Sequence, residues 1–287
     1  MGKPNVWISD LTHTALGISA NTFPLGASYV YSYAKQQLGK DFDFKLFKLP
    51  NNLSAELNIS LPDVMCFSAY SWNLELSYKF ALLVKERNPN LVVVFGGPNF
   101  PTEDSEKLEF LKERPGIDFF VEFEGEFGVV DILKTINEFD FQVNLIKSQN
   151  KKMVNTTYIH RNQLITGEIK RIQDINVIPS PYLTGAMDKF FDLPLVPLIE
   201  TTRGCPFTCS YCADGSAIKS RVYRYDFERT KKELDYIANR VKGCDELIFS
   251  DLNFGMYKQD LSTAYEIKRI QNDYKYPKRI GASSGKN

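Results

Sequence analysis

The chain has 287 residues, 43% of them hydrophobic, and its 35 Lys and Arg balance 35 Asp and Glu to no net charge. That length predicts two domains, and basic residues spread evenly along a neutral chain argue against nucleic acid or an anionic membrane as partner. No apolar stretch approaches a membrane span, the N-terminus lacks the apolar region of a signal peptide, and Val6 occupies the position where N-myristoylation needs Ser or Thr; a cytoplasmic protein with no transmembrane segment is predicted.

The first half alternates strand and helix patterns, as a parallel α/β domain does. Val6–Ser9 reads as a strand, Leu25–Leu38 as a helix ending near Gly39, Phe42–Leu49 as a second strand and Val64–Tyr70 as a short buried one. Asn73–Arg87 reads as a helix, Leu91–Phe95 as the central strand, Asp118–Glu122 as another strand and Gly128–Glu138 as a closing helix. Open parallel sheets bind ligands outside the carboxyl ends of their strands. Those ends carry Asp10–Gly17, Ser68–Ser71, Gly96-Gly97-Pro98 and Glu124-Gly125-Glu126. Glycines there let backbone approach a bulky ligand, although each turn taken singly reads rather as a tight strand-to-helix connection. Tyr70, Trp72 and the many phenylalanines read as core rather than as a substrate platform. Cys66, in an apolar run, reads as a buried small hydrophobe.

Strict alternation is lost over Gln142–Ile172, where Asn155–His160 and Gln163–Gly167 read as a hairpin. Val177–Tyr182 is proline-spaced and reads as an extended strap between domains. Leu195–Glu200 then reads as a strand that delivers a cysteine-rich loop from its carboxyl end. Phe227–Val241 has Leu234, Ile237, Ala238 and Val241 on one helical face. Glu246–Ser250 is a second strand ending in Asp251-Leu252-Asn253, Gln259–Asp273 a second helix, and Arg279–Ser283 a third strand. Cys244 precedes its strand and reads as structural. The predicted division is residues 1–141, a Rossmann-like domain; 142–190, a hairpin and proline-containing linker; and 191–287, a second β/α domain.

Three of the five cysteines, Cys205, Cys209 and Cys212, form a C-x3-C-x2-C cluster. Three thiolates can hold a [4Fe-4S] cluster while leaving one iron without a protein ligand, whereas electron-carrying clusters are normally held by four cysteines. A structural zinc site wants four ligands, and the two histidines, His13 and His160, lie far away in sequence. A local disulfide would be strained at these spacings and would leave an odd thiol. The open cluster is the favoured reading, with zinc binding and electron transfer as the alternatives.

The run from Glu200 to Cys212, Glu-Thr-Thr-Arg-Gly-Cys-Pro-Phe-Thr-Cys-Ser-Tyr-Cys, resembles the signature of radical S-adenosylmethionine enzymes, in the class with an N-terminal cobalamin-binding domain. The resemblance implies a Rossmann-like, doubly wound parallel sheet of the cobalamin-binding type. The first strands and helices of a partial (β/α)6 radical barrel would follow it over residues 191–287. By the same resemblance Cys205, Cys209 and Cys212 are iron ligands and Tyr211 lies by the adenine of S-adenosylmethionine. Asp251 and Asn253 lie near its amino, carboxylate or ribose groups, with helix-cap and turn roles as their plain alternative. Cobalamin would meet Ser68, Gly96, Gly97, Glu124 and Gly125, with the helix start Pro24-Leu25-Gly26 also around the corrin.

The implied cofactors are a [4Fe-4S] cluster, S-adenosylmethionine and cobalamin. The implied partners are a reductant such as flavodoxin or ferredoxin and a small-molecule or lipid substrate. The implied reaction is reductive cleavage of S-adenosylmethionine to a 5′-deoxyadenosyl radical. Methyl transfer from cobalamin to an unactivated carbon is the leading outcome, and cyclisation or rearrangement stays open. One departure stands out. Members with a histidine below cobalt carry Asp-x-His-x-x-Gly, but two residues separate Asp10 from His13 here, so His13 reads as a loop histidine. Only two and a fraction of about six β/α units are present, which predicts a fragment or a chain completed by another polypeptide. A corrinoid- or cluster-binding product without turnover is the corresponding non-enzymatic reading.

Overall fold

The structure, a computed structural model, describes residues 2–210, 212, 215 and 217–284. It forms two compact units, Met1–Ala20 with Tyr33–Ile172, and Asn21–Ser32 with Gln173–Asn287. Helix α1 (Leu25–Leu38) therefore begins in the second unit and ends in the first. Among the described residues no helix is long and apolar enough to cross a membrane.

The first unit is built on β1 (Asn5–Ser9), β2 (Asp43–Phe47), β3 (Val64–Ser68), β4 (Val92–Gly96) and β5 (Phe119–Val121), all parallel, in the order β2-β1-β3-β4-β5. Strands covered on both faces read as continuous apolar runs, and the first four residues of β3 and of β4 are all buried. Each such valine contributes roughly 1.5–3 kcal/mol on burial. The strand order reverses between β1 and β3, which makes that pair the topological switch point where ligands of this fold bind.

Around the sheet stand α2 (Pro50–Leu57), α3 (Leu74–Arg87), α4 (Asp104–Lys112), α5 (Gly125–Glu138) and α6 (Val143–Ser148). Three of these, α2, α4 and α6, depart from the sequence expectation because they bury too little to show a periodicity. Leu53 and Leu57 alone are buried on α2, Lys107 and Leu111 on α4, and Ile146 on α6. The second strand is also shorter than predicted, because Pro50 starts a helix where its fixed φ and missing N–H do no harm.

Helix α5 begins three residues before the predicted Gly128. Glu124 is its N-cap and Glu126 lies in its first turn, where a carboxylate complements the helix dipole. Glu124-Gly125-Glu126 is therefore a helix start rather than a free loop. Gly128 is the contact point of α5 with β5, since a Cβ there would stand 2.3 Å from Val121 Cγ1.

The hairpin of β6 (Thr156–His160) and β7 (Gln163–Thr166) is part of this sheet rather than of a linker. β6 pairs antiparallel with β5, Phe120 opposite Thr157 and Val121 opposite Thr156, and so covers an edge that an open parallel sheet would expose.

The second unit carries β8 (Leu198–Ile199), β11 (Glu246–Phe249) and β12 (Arg279–Gly281) as a parallel sheet in the order β12-β11-β8. β9 (Thr202–Arg203) and β10 (Tyr223–Arg224) form a separate antiparallel ribbon. Helices α7 (Phe227–Ala238) and α8 (Lys258–Tyr274) connect the parallel strands, the β/α alternation of a barrel. β8 is shorter than predicted because Leu195–Pro197 lies beside the Asn21–Phe23 segment instead. Val196 N–H donates to Asn21 O at 2.7 Å, and Phe23 N–H to Val196 O at 2.9 Å.

Pro24-Leu25-Gly26 belongs to this second unit. Its neighbour Phe23 packs on Phe191 and Phe190, with ring centroids 5.0 and 5.9 Å away. The predicted strap starts on the last residue of a 3-10 turn, Ile175–Val177, and is extended at Ile178. Tyr182 then anchors it, its hydroxyl donating to Leu198 O at 2.8 Å and accepting Leu198 N–H at 3.2 Å. On α7 the buried face includes Glu233 beside Leu234 and Ile237. Burial pushes that carboxyl above its ordinary range, while Arg229, 3.0 Å away and lying 3.9 Å over the Tyr225 ring, opposes the rise.

Candidate functional site

The cysteine loop leaves the carboxyl end of β8 and is closed at its base by the β9–β10 ribbon, Arg203 opposite Tyr223 and Thr202 opposite Arg224. Gly204 then turns at φ +104°, and any Cβ there would strike Arg221 O at 2.3 Å. Only glycine meets both conditions without strain. Cys205 follows, buried, its N–H donating to Lys219 O at 3.2 Å. Cys212 N–H donates to Cys209 O at 3.1 Å, which folds that part of the loop into a turn.

The residues after β11 brace this loop from the neighbouring strand. Asp251, 1% exposed, accepts Thr201 N–H at 2.7 Å and Thr202 Oγ1–H at 2.8 Å, and also the Thr201 hydroxyl. Burial pushes the Asp251 carboxyl up to about 6, against those hydrogen bonds, which pull it down. Asn253, 2% exposed, donates from Nδ2 to Cys205 Sγ at 3.2 Å. Asp251 thus directs its carboxylate to the loop backbone and hydroxyls. Tyr211 lies outside the described residues.

All three loop cysteines are free thiols, and their donor set fits an iron–sulfur cluster, with a buried N–H already on one sulfur. Among the described residues no three His, Cys, Asp or Glu side chains gather around one metal position; a cubic cluster takes each thiolate at a different iron. Cys66 is buried in β3, and Cys244 faces Glu246 O at 3.5 Å.

In the first unit the carboxyl ends of β1, β3 and β4 are tied to one another. Asp10 accepts from Ser68 Oγ at 2.5 Å and from Lys48 Nζ at 2.9 Å. Asn73, fully buried, donates to Leu11 O at 3.1 Å and Ser68 Oγ at 2.9 Å, and accepts Tyr70 N–H at 2.8 Å. Gly97, at φ +136°, is there for backbone contact, since a Cβ would stand 2.7 Å from Ala69 O. Glu124 is buried and paired with Arg171, and its carbonyl accepts Asn155 Nδ2 at 3.2 Å. His13 stands exposed in the loop after β1.

Trp72 departs from the core expectation. It is 47% exposed and stacks on Tyr70 at 4.4 Å with ring planes 9° apart, just beyond β3. Leu16 after β1 and Phe123 after β5 are exposed as well. Large apolar groups left in water at the carboxyl edge of such a sheet suit contact with a ligand.

No family model matches the chain. Among curated proteins it is 31% identical, over an alignment covering 95% of this chain, to the 2-(S-pantetheinyl)-carbapenam-3-carboxylate methyltransferase of Streptantibioticus cattleyicolor. It is 30% identical, over 92% of the chain, to the cobalamin-dependent radical SAM methyltransferase TokK of Streptomyces tokunonensis. The chain is a homologue of cobalamin-dependent radical S-adenosylmethionine methyltransferases. Among solved structures the cobalamin-dependent radical enzyme OxsB with aqua-cobalamin and S-adenosylmethionine bound shares the fold. It has a TM-score of 0.67 at 17% identity, over 94% of this chain and 37% of that one. The chain spans about 40% of the length of the curated relatives, 40% and 39% for the two methyltransferases.

The sequence pattern points to the cysteines, Ser68 and Asn253 but not to Lys48, Asn73, Thr201 or Thr202. Lys48 follows β2, and its burial depends on Asp10, far away in the chain. The threonines sit inside the cysteine signature, and only Asp251 shows what they do.

Proposed function

We propose that this chain serves a cobalamin-dependent radical S-adenosylmethionine methyltransferase acting on an unactivated carbon of a small molecule or lipid. The observation that carries this reading is the loop of three free cysteines, held at the carboxyl end of β8 by Asp251 and Asn253. Two methyltransferases among the relatives support the choice of methyl transfer over cyclisation or rearrangement.

Cys205, Cys209 and Cys212 would hold the [4Fe-4S] cluster and leave one iron for S-adenosylmethionine. When bound, the cluster supplies the electron that opens the sulfonium to methionine and a 5′-deoxyadenosyl radical, the hard chemistry that a cofactor contributes. Cobalamin, when bound, supplies the methyl group. The protein's own part is placement. Asp251 fixes Thr201 and Thr202 so that Cys205 leaves the strand at one orientation, and Tyr211 would lie by the adenine. In the first unit Ser68, Gly96, Gly97, Glu124 and Gly125 would line the corrin site. Of these, Ser68 is oriented by Asp10 and Asn73, and Glu124 by Arg171. A flavodoxin- or ferredoxin-class reductant would deliver the electron.

Electron paramagnetic resonance of the anaerobically reconstituted, dithionite-reduced chain tests this, with and without S-adenosylmethionine. A [4Fe-4S]⁺ signal that changes on adding S-adenosylmethionine is the expected result. A signal indifferent to it would leave a cluster carrier without turnover, and bound zinc with no cluster would overturn the reading.

A further inference from the structure

We infer that Asn253 is a positioning residue that sets the reduction potential of the cluster through its hydrogen bond to the Cys205 sulfur. The inference rests on the proposed function, since it takes Cys205 as an iron ligand. Asn253 is 2% exposed, and its Nδ2 stands 3.2 Å from Cys205 Sγ. Its Oδ1 is buried with no hydrogen-bond partner among the described residues. Burying an amide with half its polar capacity unused is costly, so the contact with sulfur is the one polar return this side chain makes within the described residues.

The direction of the effect follows from charge. One-electron reduction adds negative charge to the cluster and its thiolates. An N–H dipole aimed at one of those sulfurs stabilises the reduced state more than the oxidised one, and in a buried site the effect is not screened by water. Asn253 therefore raises the potential and makes the cluster easier to reduce by an external one-electron donor. Asp251, two residues earlier, holds Thr201 and Thr202. The loop after β11 thus places the cysteine loop with one side chain and adjusts its sulfur with the other.

The test is a redox titration of the full chain, reconstituted anaerobically and followed by the [4Fe-4S]⁺ signal, with iron and sulfide measured for each variant. Asn253→Leu keeps the bulk and removes the donor, and Asn253→Ser returns a shorter donor. The expected result is a midpoint more negative in Asn253→Leu than in the unsubstituted chain, partly restored in Asn253→Ser, at equal cluster content. Should Asn253→Leu fail to fold, Asn253→Ala, neutral and without the N–H, is titrated in its place with the same expectation. Equal midpoints at equal cluster content would overturn the inference and leave the proposed function intact. Failure of the unsubstituted chain to build a [4Fe-4S] cluster would overturn both.

Discussion

Asp251 accepts the backbone N–H of Thr201 at 2.7 Å across fifty residues of sequence. This bond ties the ends of two neighbouring strands at the point where the cysteine loop departs. Removing the carboxylate in Asp251→Ala would leave a buried N–H and two hydroxyls without their partner, at about 1–3 kcal/mol for each unsatisfied group.

The same carboxylate makes stability depend on pH. Its folded pKa is about 6 against an ordinary 3.8, so the folded chain binds the proton more tightly than the unfolded one. The stabilisation is present in full below 3.8 and is lost as pH rises through about 6. Asp251→Asn has no such term. The stability difference between the unsubstituted chain and Asp251→Asn should therefore move by about 2 kcal/mol against the unsubstituted chain from pH 4 to pH 7. Urea unfolding at the two pH values reads this directly, and a difference that does not move with pH would refute the assignment.

Lys48 and Asp10 form a buried pair at 2.9 Å, the lysine side chain only 2% exposed. Asp10→Ala strands the ammonium and should cost about 3–5 kcal/mol. Lys48→Met should cost clearly less, because Asp10 keeps the Ser68 donor and some access to water. Equal losses in urea unfolding would mean that the buried charge is not what governs this corner.

Gly128→Ala places a methyl group 2.3 Å from Val121 Cγ1, and overpacking of this kind costs about 1–3 kcal/mol. Val121→Ala opens the space, so the double variant should be more stable than the sum of the two single losses. Simple additivity would show that α5 shifts away from β5 without resistance.

Alanine at Cys205, Cys209 or Cys212 should each abolish reconstitution of the cluster, read as iron and sulfide per chain. Cys66→Ala and Cys244→Ala should retain it, since one is buried in β3 and the other faces Glu246 O. Loss of the cluster in Cys244→Ala would redraw the ligand set.

The strand–helix alternation of the first unit and the cysteine signature were readable because both are local patterns. The apolar run around Val92–Phe95 tells of a strand buried on both faces wherever it sits. The spacing of Cys205, Cys209 and Cys212 limits which metal groups they suit. The short helices leave no such pattern because two buried leucines on α2, or one isoleucine on α6, do not make a period. β8 looked longer in sequence because Leu195 and Val196 carry strand-like side chains, yet their backbone lies beside Asn21–Phe23.

The sequence by itself determined the class of fold and the pattern of three cysteines, since each depends on side-chain type at short spacing. Tertiary structure alone decided that the Gln163 hairpin joins the first sheet, that residues 21–32 belong with the second unit, and that Asp251 and Asn253 reach Thr201 and Cys205. Those outcomes depend on which edges, hydroxyls and sulfurs are left to be satisfied once the chain is compact. Segments tens of residues apart compete for such groups, and no local pattern records the winner.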